Sequence, residues 1–331
     1  MVVTRRGALT RLAGACAGLL GLVACQPARL IRRDTTRGLV LRVNVFGSAA
    51  YAGLLRMRDR NMLEKAVPGL SIEWKPIPEL DAINDALTNG GLDVAAGPPT
   101  AFLMAREAGV PARLLAGLSN QPSSLVGRVG LHALSGLRPG ERIAVPDETG
   151  YEAAVLELAA LREFGDALAL QSRMVRISHA DALVALRVGR EVSAHVAPTP
   201  YREVELENPE LSRLADDRDL FDTSATAALV YALPSLRERN GPLLSTFVDV
   251  LGQATEQVVA DPVEAVRPIG EPDELKLSRE RVAAILTAAG WRPTTRMSGV
   301  TRIAELWRQT GRLRQTPVSW RELAFDGVDG D

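Results

Sequence analysis

Past residue 38 the chain alternates between short β-branched runs and longer stretches with helical periodicity. Leu39 to Phe46 reads as a strand closed by Gly47 and Ser48, and a helix from about Ala50 to Lys65 follows, ended by Pro68-Gly69. Leu70 to Trp74 reads as a second strand. Leu80, Ile83 and Leu87 then recur at i, i+3 and i+7, which predicts a helix over 80–88 stopped by Asn89-Gly90-Gly91. Leu92 to Ala96 is the third strand and runs into Gly97-Pro98-Pro99, after which a helix from Ala101 to Ala108 begins where proline is tolerated.

This β-α-β-α-β order implies parallel strands joined by right-handed crossovers. The same grammar returns after Leu125-Val126, with strands at Arg142–Pro146, Met174–Ile177 and Val192–Ala197 and helices at Gly150–Phe164 and His179–Arg187. From Pro242 onward the pattern is mostly helical: one segment reaches about Ala260, a second starts at Asp261-Pro262, and two more span Ser278–Ala289 and Val300–Gln309. Two βαβ modules predict an α/β protein with two similar lobes.

Composition narrows the function classes. The 331 residues are 46% hydrophobic and 24% charged, enough apolar content for a core that divides in two. The formal charge of −1 favours neither a nucleic-acid surface nor a basic arm. Cys16 and Cys25 are the only cysteines, so the body holds no disulfide, thiol nucleophile or cysteine-ligated metal. His132, His179 and His195 lack metalloprotease spacing, and aromatics are 4%.

The first residues read as an address. Arg5-Arg6 precede an uncharged run from Leu12 to Ala24, too short to span a bilayer and of signal-peptide length. The run ends in Leu22-Val23-Ala24-Cys25, which resembles a lipobox with Cys25 as the acylated residue. The arginine pair resembles a twin-arginine export signal, although Ala8 stands where a bulky apolar residue is usual. The expectation is a signal peptide over 1–24, a lipidated tether over 25–38 and an extracytoplasmic, membrane-anchored body.

Ligands of open α/β sheets bind beyond the carboxyl ends of the strands, at helix starts whose free N–H groups accept polar atoms. That rule selects Gly47, Ser48 and Tyr51; Gly97, Pro98, Pro99, Thr100 and Ala101; Glu148, Thr149, Gly150 and Tyr151; and Pro198, Thr199 and Tyr201. The plainer readings are that Ser48 caps its helix, that Asp147 and Glu148 are solvated first-turn acids, and that His195 is an interior histidine. Asp216, Asp217 and Asp219 read as a solvated loop. No catalytic constellation, metal site or cofactor is expected.

Four stretches together resemble a known family: Ala86 to Val94 running into Gly97-Pro98-Pro99, Leu134 to Pro146, Ala182-Leu183 through Gly189 to Pro198, and Trp307 to Leu313. The family is that of nitrate, sulfonate and taurine solute-binding proteins of ABC importers, which also includes binders of thiamine-precursor pyrimidines. The resemblance implies a type II periplasmic-binding-protein-like fold, each lobe a mostly parallel sheet flanked by helices, followed by a helical C-terminal region. Lobe one would comprise 39–123 and 229–331, and lobe two 124–228. It further implies a monomer that captures a small solute between the lobes and hands it to permease and ATPase subunits, with no nucleic-acid partner. Where family members place Gly-Ser or Gly-Thr to grip an anion, this chain has Asp147-Glu148-Thr149-Gly150, which points to a neutral, zwitterionic or amine-bearing solute. The alternatives are a menaquinone-pathway type of enzyme on the same fold and a ligand-sensing lipoprotein.

Overall fold

The computed structural model describes residues 39–189, 192–221 and 225–330. The signal peptide, tether and Cys25 expected from the sequence lie outside them. Among the described residues no helix is long and apolar enough to cross a membrane.

Among the described residues, eleven strands form two sheets. They are β1 (Leu39–Asn44), β2 (Leu70–Lys75), β3 (Val94–Gly97), β4 (Arg113–Asn120), β5 (Ser123–Gly127), β6 (Arg142–Val145), β7 (Met174–Arg176), β8 (Val192–Pro198), β9 (Ser212–Asp216), β10 (Thr226–Ala232) and β11 (Arg292–Pro293). The first sheet has the order β11-β4-β10-β3-β1-β2 and the second β7-β6-β8-β5-β9. β1 pairs in parallel with β2 and β3, and β6 with β7 and β8. β10 lies antiparallel between β3 and β4, and β5 antiparallel between β8 and β9. Each sheet is therefore mostly parallel in strand direction, interrupted by β5 in the second and by β10 in the first, where the short edge strand β11 also runs antiparallel to β4.

Helices cover both sheets where the sequence pattern places them, with local corrections. The expected helix over 50–65 is divided into Ala49–Tyr51, Ala52–Asp59 and Met62–Ala66. The break is at Asn61, whose φ of 48° is left-handed, a conformation asparagine tolerates better than most residues. Gly53 lets this helix approach the long helix Pro234–Ala260, since a Cβ there would stand 2.9 Å from Thr255 Oγ1. That long helix contains the expected segment from Pro242. Asn240 interrupts it, and its side-chain oxygen accepts from the Leu243 N–H as an N-cap does. Asp261 caps the helix Pro262–Ala265 as expected, Glu271–Leu275 follows, and the helix Arg279–Ala289 is capped by Ser278 and closed by Gly290 in the left-handed conformation.

One apolar core links the sheets. It joins Phe102, Leu103, Ile303 and Trp307 on the first sheet's side to Val155, Leu156 and Ala160 on the helix Tyr151–Phe164. Within it, Glu157 is fully buried and accepts from Trp307 Nε1 at 2.9 Å, while Arg312 Nη2 lies 2.5 Å from its other oxygen.

Candidate functional site

The loops selected by the strand-end rule follow β1, β3, β6 and β8. Gly47 is exposed and Ser48 half-buried, and the Ser48 side chain caps nothing; its carbonyl accepts from the Tyr51 N–H. Tyr51 is buried edge-on against Phe46. After β3, Pro98 is half-buried, while Gly97, Pro99, Thr100 and Ala101 are buried at the start of the helix Pro99–Glu107. Thr100 is wholly inaccessible and its hydroxyl has no partner.

Following β6, Glu148 is exposed, Thr149 half-buried and Gly150 buried. Both the backbone N–H and the hydroxyl of Thr149 donate to Asp147 Oδ1 at 2.7 Å. Tyr151 is 2% exposed, donates to Asp217 Oδ2 at 3.1 Å and stacks on Phe221. Beyond β8, Pro198 and Thr199 are buried. Thr199 is tied by backbone to the turn between β4 and β5: its N–H donates to the Pro122 carbonyl, and its carbonyl accepts from Gln121 Nε2. Its hydroxyl, like that of Thr100, has no partner. Tyr201 is buried and donates to Glu274.

These loops do not stand apart. The carboxylate of Glu271 accepts from the Ala49 N–H at 2.8 Å, and the Gly270 N–H donates to the Gly47 carbonyl at 2.8 Å. The segment from Gly270 to Glu274 thereby joins the β1 loop to Tyr201. Burial raises the Tyr51 hydroxyl pKa, and the charge of Glu152, the second residue of the helix after β6, adds to it. Burial likewise raises that of Tyr201, with Glu274 and Glu271 contributing. The structure thus brings Tyr51, Glu152, Tyr201, Glu271 and Glu274 into one neighbourhood drawn from both sheets. Glu148 shares no such contact.

A buried polar chain extends from it. Glu152 Oε1 lies 3.7 Å from His179 Nε2, His179 Nδ1 contacts His195 Nε2 at 2.9 Å, and His195 Nδ1 contacts Glu205 Oε1 at 2.6 Å. Burial pushes His195 down to about 3, holds His179 well below its usual value, and raises Glu205 well above its own. Both imidazoles are neutral at pH 7. Burial also pushes Glu152 and Glu271 up to about 7.

Two sequence-based readings meet different outcomes here. His195 is an interior residue, as expected, with both ring nitrogens engaged. The aspartate group is not a solvated loop: Asp216 ends β9 half-buried, and Asp217 is wholly buried at the start of the helix Asp217–Phe221. The Tyr151 hydroxyl keeps Asp217 inside, and burial, then Asp216, pushes it up to about 7. Sequence reasoning missed Glu152, His179, Glu205, Glu271 and Glu274. A signal existed only for Glu152, which directly follows Tyr151 at a strand-end helix start.

A scan against protein-family models finds no match, and no curated protein matches the chain. Solved structures do. The periplasmic aliphatic sulphonate binding protein SsuA from Escherichia coli is 18% identical with a TM-score of 0.67, over 87% of this chain and 98% of that one. The alkanesulfonate-binding protein SsuA from Xanthomonas axonopodis pv. citri, bound to MOPS, is 18% identical with a TM-score of 0.62, over 84% and 96%. A ligand-binding component of an ABC-type import system from Staphylococcus aureus, with zinc bound, is 15% identical with a TM-score of 0.63, over 87% and 97%. The chain has the periplasmic-binding-protein fold over nearly its whole described length.

Proposed function

We propose that this protein is the exported solute-binding component of an ABC importer, not an enzyme, and that it closes two lobes on a small organic molecule. The lobes are 39–123 with 229–331, and 124–228; that β5 of the second sheet starts at Ser123 and β10 of the first at Thr226 supports limits a few residues earlier at each crossing. One observation carries the reading. The β1, β6 and β8 loops, together with Glu271 and Glu274, bring Tyr51, Glu152 and Tyr201 of both lobes into one neighbourhood. One oxygen of the buried Glu271 has no partner, nor do the buried hydroxyls of Thr100 and Thr199 after the third strands, and buried polar groups without partners are costly unless a ligand supplies one.

The same geometry bears on the kind of solute. At the β1 loop, the first helical N–H that would hold an anion is occupied by Glu271, and at the β6 loop Asp147 stands just ahead of the helix start and accepts from Thr149. With Glu271 buried and Glu152 half-buried nearby, a sulfonate would meet carboxyl groups at both places. A solute bearing an amine, amidine or other donor group fits better. The carboxylates responsible are Glu152 and Glu271, since Glu148 points no contact into the group and Asp147 serves its own turn.

The expected N-terminal processing belongs to this proposal: acylation at Cys25 would tether the body outside the cell, where a permease and its ATPase take over the solute. A thermal-shift comparison of alkanesulfonates with their amine counterparts tests the solute class. Saturating amine is expected to raise the melting temperature by several degrees, as about 2.7 kcal/mol of binding at 100 times Kd does, without turnover. A larger shift with the sulfonate would overturn the cationic preference, and product formation would overturn the binding reading.

A further inference from the structure

A cavity of about 380 Å³ borders the β1 loop but takes none of its lining from the strand-end loops, being lined by Arg56, Asp59, Arg60, Glu264, Arg267 and Pro268. Arg56 and Arg60 are four residues apart, at the end of the helix Ala52–Asp59 and its C-cap, so both project to one side. Glu264 follows the cap of the short helix Pro262–Ala265, and Arg267 comes just after it. Pro268 brings the wall of the cavity to the Gly47 loop, its carbonyl 3.7 Å from the position of a Cβ on that glycine.

The charges in this cavity do not balance. Glu264 Oε1 is shared between Arg60, at 3.5 Å, and Arg267, at 3.4 Å. Asp59 accepts from Arg58 at 2.8 Å. Arg56 is 8% exposed, and its Nη2 has no hydrogen-bond partner. A guanidinium taken out of water without a counter-charge is costly, comparable to breaking a buried pair. The carbonyls at the end of a helix offset only part of that. A guanidinium at the wall of a cavity, with its Nη2 unpartnered, matches a multi-oxygen anion, which such a group can hold with two parallel hydrogen bonds.

We infer that Arg56, with Arg60 and Arg267, forms a second binding site for a small oxyanion of the phosphate or phosphate-monoester class. The volume falls within the range of about 300–1,000 Å³ usual for small-molecule sites and leaves room for an ester group beyond the phosphate. The site is separate from the strand-end loops and does not depend on the solute-binding reading.

The test is calorimetric titration of the purified full chain with sodium phosphate, with sodium chloride at matched ionic strength as the control. Saturable phosphate binding is expected, absent with chloride. Arg56→Met is expected to weaken it about tenfold or more, the worth of one charge-assisted hydrogen bond. Arg267→Gln is expected to weaken it about threefold, the worth of a partly exposed contact. Arg267 is largely exposed, so its variant keeps the test readable if Arg56→Met disturbs folding. No saturable heat with phosphate, an equal response to chloride, or an affinity unchanged in Arg267→Gln would overturn the inference. In that case Arg56 serves only the end of its helix.

Discussion

The two sheets share one plan and differ in how their ligand loops are secured. Read from one edge, each runs second, first, third, returning and fourth strand: β2-β1-β3-β10-β4 in one and β7-β6-β8-β5-β9 in the other. Their loops correspond as well. Tyr51 follows the first strand of one sheet and Tyr151 that of the other, and Thr100 and Thr199, each with an orphan hydroxyl, follow the third strands. The helix starts are closed differently. Asp147 fixes only the turn ahead of the second sheet's, accepting from Thr149 two residues away, whereas the first sheet's is closed by Glu271, 222 residues distant from Ala49. A local cap fixes only its own turn. A distant one binds the β1 loop to the segment that also holds Tyr201, and so makes that loop sensitive to how the two halves sit.

The strongest test of whether the halves act as one is Glu157→Ala. Glu157 lies on the helix after β6, and its partners Trp307 and Arg312 belong to the first sheet's side. Removing it leaves a buried indole N–H and a guanidinium without their acceptor inside the shared core. Losing one partner of a buried pair costs about 3–5 kcal/mol, a fall of about 10 °C in melting temperature. Calorimetry is expected to show one transition for the parent protein. If Glu157→Ala costs under about 1 kcal/mol, the halves are held by apolar contact alone.

Glu271→Gln sharpens the contrast between caps. Burial pushes the Glu271 carboxyl up to about 7, above its value in the unfolded chain. Its folded form therefore holds a proton that the unfolded chain releases between about pH 4.5 and 7. The resulting stability is full at the acid end and is lost as pH rises through about 7. Glutamine keeps an acceptor for the Ala49 N–H but does not titrate. The variant is expected to match the parent near pH 4.5 and to exceed it at pH 8 by on the order of 2 kcal/mol, measured by denaturant unfolding at both pH values. His195, pushed down to about 3, drives stability the opposite way below pH 6.5, but it is present in both proteins and cancels in the difference. The gain would come with weaker binding of a cationic solute.

Such groups explain what could be read from the sequence. The strands β1, β2, β3, β6, β7 and β8 and most helices were legible because their periodicity and caps are local, as at Ser278 and Gly290. β4 and β10 were not: Arg113–Asn120 and Thr226–Ala232 are nearly unbroken apolar runs, buried on both faces, which lack the alternation that marks a half-exposed strand. In the site, the loops after β1, β3, β6 and β8 followed from topology. Glu271 and Glu274 did not, because nothing near them in the chain signals that a helix of five residues folds back onto Gly47 and Ala49. Asp217 was misjudged for a related reason: its neighbours Arg218 and Asp219 are exposed, and the Tyr151 hydroxyl, 66 residues away, and the Ser123 backbone N–H hold it inside from distant parts of the chain.

The smallest expected effect on stability is the most telling for the correspondence between sheets. Thr100→Val and Thr199→Val each replace a wholly buried, unpartnered hydroxyl with a methyl of nearly the same shape. No internal hydrogen bond is lost, so each is expected to change stability by less than about 1 kcal/mol, with a gain the more common direction when an orphan polar group is removed. If both hydroxyls face the solute from equivalent places, each substitution should weaken binding by roughly five- to tenfold, the worth of a neutral hydrogen bond. Loss of affinity in both variants would extend the shared plan from strand order to ligand contact. Loss in Thr199→Val alone would make the second sheet, held at Gln121 and Pro122 where the chain crosses, the side that recognises the solute, with the first sheet closing over it.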